Sequence, residues 1–127
     1  VLDRMQAEVE ELVRDAGAAV GLESRLEQIS RTAPVVFDAE CIASVRAGAQ
    51  AAGYSTRDII SGAGHDAAHA AALAPTTMIF VPCRDGLSHN PAESTEPEEC
   101  AAGAQVLLEA VLDYDRRMAE ARKEAAA

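Results

Sequence analysis

The sequence predicts an α/β chain made of two unlike pieces, and three observations carry that reading. TTMIFVP, Thr76 to Pro82, runs without polar alternation, the pattern of a strand covered on both faces as in a parallel sheet. Around it the order is a short strand at Thr56–Ser61, a tight turn at GAGHD, a short helix at Ala67–Leu73 and then the apolar strand, which together make a βαβ unit. Before residue 32 the pattern differs, with one helix followed by LESRLEQIS, whose charged residues Glu23, Arg25 and Glu27 alternate with Leu22 and Leu26. One-sided alternation suits an antiparallel sheet with a solvated face. That strand has no hairpin partner in the sequence, and a lone strand is not stable in water.

The elements follow in order. Leu2, Met5, Val9, Leu12, Val13 and Ala16 recur at helical spacing, and Gly17 and Gly21 bracket the exit. RTAPVVFD reads as a linker, with Pro34 holding its predecessor extended. Asp38 is a good N-cap, and Phe37 with Ile42 fits a hydrophobic staple. The helix that follows buries Ile42, Val45 and Ala49 and stops near Gly53. After the apolar strand and the polar loop CRDGLSHNPAES, Thr95-Glu96-Pro97-Glu98 matches a capping box. The last helix carries Ala101, Val106, Leu107, Val111 and Tyr114, and RRMAEARKEAAA reads as a solvated or frayed extension.

Composition bounds the function. The chain has 127 residues and a formal charge of -10, which repels phosphates and argues against nucleic acid and anionic membranes as partners. Two Phe, two Tyr and no Trp leave a core rich in alanine, which gains little per residue on burial. Cys41, Cys83 and Cys100 are too few and scattered for a disulfide framework and form no CxxC pair. Reduced thiols point to the cytosol, and no apolar run is long enough to span a membrane. The chain opens at Val1, already inside a helical pattern and without Met, so a cut end is expected.

All three histidines lie between Ser61 and Glu93. His89 follows the carboxyl end of the apolar strand, the edge where open α/β sheets place ligands. Gly86 permits a tight approach and Asn90-Pro91 keeps the backbone from becoming helical, which suits an imidazole fixed for a metal. A surface loop histidine reads the same way, and a metal needs more than one ligand. GAGHD offers backbone N–H groups to an anion, or its glycines simply serve a turn with Asp66 as N-cap. His65 contacts a substrate or braces that turn, and His69 is a surface or core residue of the helix. Cys83 has no activating neighbour in sequence and receives no role. Of the acidic residues after His89, Glu96, Glu98 and Glu99 complement a helix dipole; Glu93 is the one least explained that way.

SGAGHDA and MIFVPCRDGLSHNPAE, in that order, closely resemble the C-terminal part of the amidase/hydantoinase-carbamoylase group within the M20 metallopeptidase-like family. VLDRM, PVVFD and STEPEECAAGAQVLLEAVL resemble its frame, so the similarity runs from Val1 to about Asp113. The group includes N-carbamoyl-L-amino-acid hydrolases, β-ureidopropionases and allantoate amidohydrolases. The resemblance implies an αβα-sandwich catalytic domain with two divalent metals (Zn, Mn, Co or Ni) and a smaller α+β lid that makes a homodimer. Residues 1–32 then correspond to the end of the lid, and residues 33–127 to the C-terminal part of the catalytic domain. His89 stands where the family has its last metal ligand, and Gly62, Ala63, Gly64 and His65 match the loop that holds the substrate. No catalytic residue falls in this segment. The other ligands (a His, a bridging Asp, a Glu and a second His), the general-base glutamate and the lid residues that clasp substrate lie in an N-terminal portion this sequence does not contain, which becomes the expected partner. The implied function is hydrolysis of carbamoyl or ureido C–N bonds of small ureido acids, with this segment alone inactive. An inactive scaffold domain of the same fold and an M20-type peptidase are the alternatives.

Overall fold

Gly21, Asp38 and Gly53 set three of the helix ends in this chain. The computed structural model describes every residue from Val1 to Ala127, and the chain divides into two compact units, Val1–Pro34 and Val35–Ala127.

The first unit begins with helix α1, Leu2–Ala19. It ends at Gly21, whose φ of 70° is left-handed, a conformation glycine adopts without steric cost. Leu22 N–H then donates to Gly17 O at 2.9 Å and Gly21 N–H to Ala18 O at 3.2 Å, the paired bonds of a Schellman motif that satisfy the last carbonyls. The returning chain lies against the helix. Gly17 is the buried residue of α1, and a Cβ there would stand 2.8 Å from Ser24 Oγ and 2.9 Å from Leu22 O. Ser24 Oγ donates to Val13 O at 3.0 Å, and Arg31 pairs with Asp3. The groove between them is lined by Leu2, Met5, Val9 and Leu26, all of which keep substantial exposure.

In the second unit, α2 (Ala39–Ala51) packs along α4 (Pro97–Ala125). Asp38 caps α2 as expected, accepting from Cys41 N–H at 2.8 Å, and this bond, the largest influence on Asp38, holds its carboxyl below the ordinary value. α2 ends in a second Schellman motif, with Gly53 at φ 79° and Tyr54 N–H donating to Ala49 O at 2.8 Å. The core where the helices cross is made of small groups: Ser44, Gly48 and Ala49 face Val106 and Ala110. Gly48 allows the close approach, since a Cβ on it would lie 2.9 Å from Ala110 N and 3.0 Å from Val106 O. At one end, Arg117 bridges the helices, bonding Asp113 at 2.6 Å and reaching Glu40 at 3.8 Å.

Three expectations require correction. The segments read as strands (Leu22–Ser30, Thr56–Ser61 and Thr76–Pro82) form no β-ladder. A strand is defined by a neighbour about 4.8 Å away that takes its N–H and C=O groups, and none lies beside them. Thr76–Pro82 is half-covered and not sealed on both faces: Val81 rests against Gly103 of α4, while Phe80 is 46 % exposed. Its fixed ends are held by Asp38 N–H donating to Thr76 O at 3.0 Å and Thr95 Oγ1 donating to Pro82 O. That second bond removes the expected capping box. With the Thr95 hydroxyl spent on Pro82, the N-cap of α4 is Glu96, which makes no side-chain cap, and Pro97 takes the first turn, where a missing N–H costs nothing. Beyond Tyr114 α4 runs on as a largely exposed, solvated extension. It continues to Ala125, with Arg122 and Lys123 in the last turn, where positive charge complements the helix dipole.

Candidate functional site

Two loops carry the residues of interest. The first, 61–66, leads into helix α3, Ala67–Ala71. Ser61 Oγ organises it, accepting from Ala63 N–H at 3.2 Å and lying 2.7 Å from His65 Nε2. Asp66 starts α3 without a side-chain cap and in helical φ/ψ, so it does not fill the N-cap role its position suggested. His69 sits exposed on α3.

The second loop, 83–96, is closed at its neck. Arg84 N–H donates to Ser94 O at 2.8 Å, Thr95 Oγ1 donates to Pro82 O, and the Arg84 guanidinium meets Glu96 at 3.0 Å. A short 3-10 turn, Arg84–Gly86, opens it, with Asp85 and Gly86 both at positive φ. At its far side His89 also has positive φ, 57°, a conformation a non-glycine residue adopts at a cost. Asn90 Oδ1 accepts from Ala92 N–H at 2.9 Å, a side-chain turn that fixes the backbone after the histidine.

The loops meet at their histidines. The His65 and His89 rings lie 6.1 Å apart between centroids, inclined at 63°, and His65 also packs T-shaped against Phe80 with centroids 5.4 Å apart. Each imidazole is braced by a serine, His65 Nε2 by Ser61 and His89 Nδ1 by Ser88 Oγ at 2.8 Å. In the tautomer where His89 Nδ1–H donates to Ser88, its Nε2 lone pair is open to a ligand, the arrangement metal-binding histidines use. Sequence reasoning placed His65 and His89 on separate loops. It missed the two serines and Phe80, although Ser88 adjoins His89 and Ser61 stands four residues before His65.

Cys83 enters the second loop with its Sγ 3.7 Å from Glu93 Oε1. Partial burial pushes its thiol above the ordinary value, and the Glu93 carboxylate raises it further. A thiol held protonated is a poor nucleophile, so these surroundings do not activate Cys83.

A metal centre is not assembled by these residues alone. No three His, Cys, Asp or Glu side chains come together to hold an ion, and zinc takes about three or four protein ligands. The His89 imidazole is exposed and oriented by Ser88; His65, 6.1 Å away between ring centroids, has Nε2 engaged by Ser61.

Residues 5–113 match the model of peptidase family M20/M25/M40, and the chain belongs to that family. Its relatives there carry narrower names. It is 46% identical over 112 residues to an N-carbamoyl-L-amino-acid amidohydrolase of Rhizobium meliloti, covering 88% of this chain and 27% of that protein. It is 30% identical to the allantoate amidohydrolase of Bacillus subtilis (strain 168), over 86% of this chain and 26% of the relative. Among solved structures, an amidase of the hydantoinase/carbamoylase family from Burkholderia multivorans superposes with a TM-score of 0.75 at 50% identity, covering 89% of this chain and 28% of that one. The chain therefore spans about a quarter of the length of the proteins it matches. No helix is long and apolar enough to cross a membrane.

Proposed function

We propose that this chain forms part of a metal-dependent amidohydrolase that cleaves the carbamoyl or ureido C–N bond of N-carbamoyl amino acids or related ureido acids. The observation that carries this reading is the meeting of His65 and His89, each braced by a serine, from two separate loops. In this reading His89 gives one ligand through Nε2 to a dinuclear centre of divalent ions (Zn, Mn, Co or Ni). The loop Gly62, Ala63, Gly64 and His65 holds the substrate. Because Ala63 N–H is already donated to Ser61 Oγ, the amides of Gly62 and Gly64 are the ones that meet a substrate carboxylate. The names of the relatives support the substrate class.

Residues 33–127 would then belong to an αβα catalytic domain, and residues 1–32 to an α+β lid that makes a homodimer in the cytosol. The remaining ligands and the glutamate that takes a proton from water would come from polypeptide N-terminal to these residues. This assigns binding and orientation to the present residues and leaves the chemical step to the others.

Metal analysis and turnover of N-carbamoyl amino acids by the whole enzyme provide the test. His89→Ala should lower bound metal and kcat together; unchanged metal content and turnover would remove the ligand role. Membership of peptidase family M20/M25/M40 supports a second reading, a peptidase. Cleavage of dipeptides with no action on ureido acids would favour it, and tight substrate binding without turnover of either would leave a scaffold domain.

A further inference from the structure

Four acidic residues stand between His89 and Cys100, and three have partners or places that explain them. Glu96 pairs with Arg84, and Glu98 and Glu99 occupy the first turn of α4, where negative charge is favoured. Glu93 is different. Its Oε2 accepts the backbone N–H of His89 at 2.7 Å, and its Oε1 lies 3.7 Å from Cys83 Sγ. One carboxylate thus spans the loop from its entry to the histidine. Its own N–H donates to Asn90 O at 2.9 Å, so the backbone of Glu93 is held by the same turn that its side chain closes.

The bond to His89 falls where the loop most needs it. His89 is the loop's non-glycine residue beyond the 3-10 turn with positive φ, and such a conformation persists only when its surroundings fix it. Ser88 orients the ring, at 2.8 Å from Nδ1, but a bond to the ring leaves the backbone free to relax. A flip out of the left-handed region would swing the imidazole away from His65.

We propose that Glu93 is a positioning residue: by accepting the His89 N–H it locks the left-handed backbone and aims the imidazole at the His65 loop. It acts as a hydrogen-bond acceptor, and its charge is dispensable. The inference rests on the reading in which His89 uses its ring as a ligand, but its structural half is tested separately.

The test compares wild type, Glu93→Gln and Glu93→Ala in the full chain. Glutamine keeps an oxygen to accept the His89 N–H, whereas alanine has none. Amide hydrogen exchange at His89, followed by NMR, should rise about tenfold or more in Glu93→Ala and stay within about threefold of wild type in Glu93→Gln. Slow exchange at Val106 and Ala110 serves as the folding control. If Glu93→Ala fails to fold, Glu93→Gln decides alone: wild-type exchange supports the proposal and fast exchange overturns it. Unchanged exchange in Glu93→Ala also overturns it, as does Glu93→Gln behaving like Glu93→Ala. In the whole enzyme, zinc affinity should fall roughly 10–100-fold in Glu93→Ala and recover in Glu93→Gln. Should His89→Ala leave zinc binding intact, the ligand reading fails while the exchange data still decide the role of Glu93.

Discussion

Gly53 and Gly62 show how differently two glycines serve this chain. At Gly53 the φ of 79° is left-handed, so a Cβ would be strained although nothing lies within 4 Å. Gly53→Ala should destabilise the second unit by about 1 kcal/mol, read as a lower urea midpoint with unchanged slope. Gly62 has neither a positive φ nor a near neighbour. Gly62→Ala should therefore shift stability by less than about 0.5 kcal/mol. If its amide meets the substrate, as proposed, the same variant should raise KM in the whole enzyme. Equal stability and equal KM would take Gly62 out of the substrate loop. Gly21, Asp38 and Gly53 were legible in the sequence because each acts through its own backbone or a neighbour three or four residues away. Thr95 was misread because its hydroxyl is claimed by Pro82, thirteen positions back, and such a competitor leaves no local trace. The serine braces of His65 and His89 were equally hidden, since a hydroxyl beside a histidine in sequence does not reveal where either side chain turns.

At the scale of elements, the α2–α4 crossing sets the stability of the second unit. Its contact is closed by Gly48 against the backbone of Val106 and Ala110. Gly48→Ala gains helix propensity on paper, but the added methyl meets main-chain atoms that cannot rotate away. The clash wins, and a loss of about 1–3 kcal/mol is expected by chemical denaturation; a stabilised variant would show that the helices can part freely. Asp113, like the α2 cap Asp38, ties this crossing to pH. Partial burial pushes its carboxyl up, but the Ser44 hydroxyl beside it, the bond from Arg117 and the charges of Arg117 and Arg116 outweigh that and leave it below the ordinary value. A carboxyl depressed in the folded state stabilises the fold above its unfolded pKa, and the contribution is lost as pH falls through the folded value. Asp113→Asn should lower the thermal midpoint near neutral pH, with a cost of about 1 kcal/mol because Arg117 is partly solvated, and should flatten the loss of stability below the ordinary carboxylate range. Equal acid sensitivity in both proteins would move the titrating group elsewhere. The helices here were readable from period and end signals. The three extended segments were not readable as strands in this chain, because alternation and apolar runs report which faces are suited to burial, while a strand exists only where a second strand takes its hydrogen bonds.

For the molecule as a whole, the mismatch between apolar pattern and actual burial is the informative quantity. The buried apolar side chains are Ala49, Val106 and Ala110, which remove little area from water. Ile60 is wholly exposed, Ile29, Leu73 and Val36 are above 90% exposed, and Leu107, Leu108, Val111 and Leu112 leave much of α4 open. Each buried Leu or Ile contributes about 1.5–3 kcal/mol, so these residues hold stabilisation that the present contacts do not realise. Under the proposed function they are the faces on which the rest of the polypeptide and its sheet would lie. The 127 residues expressed alone should bind a hydrophobic dye such as anilinonaphthalene sulfonate strongly and associate as concentration rises, with the charge of -10 opposing association most at low salt. Joined to the remaining three quarters of a relative-length protein, the same residues should lose most of that dye signal and gain slower amide exchange in Thr76–Pro82, since neighbours would then take the backbone bonds that are open now. Dye binding as weak as that of a well-packed domain would mean that the exposed side chains are covered by contacts within this chain. Dye binding that persisted in the longer protein would mean that these faces serve a different partner.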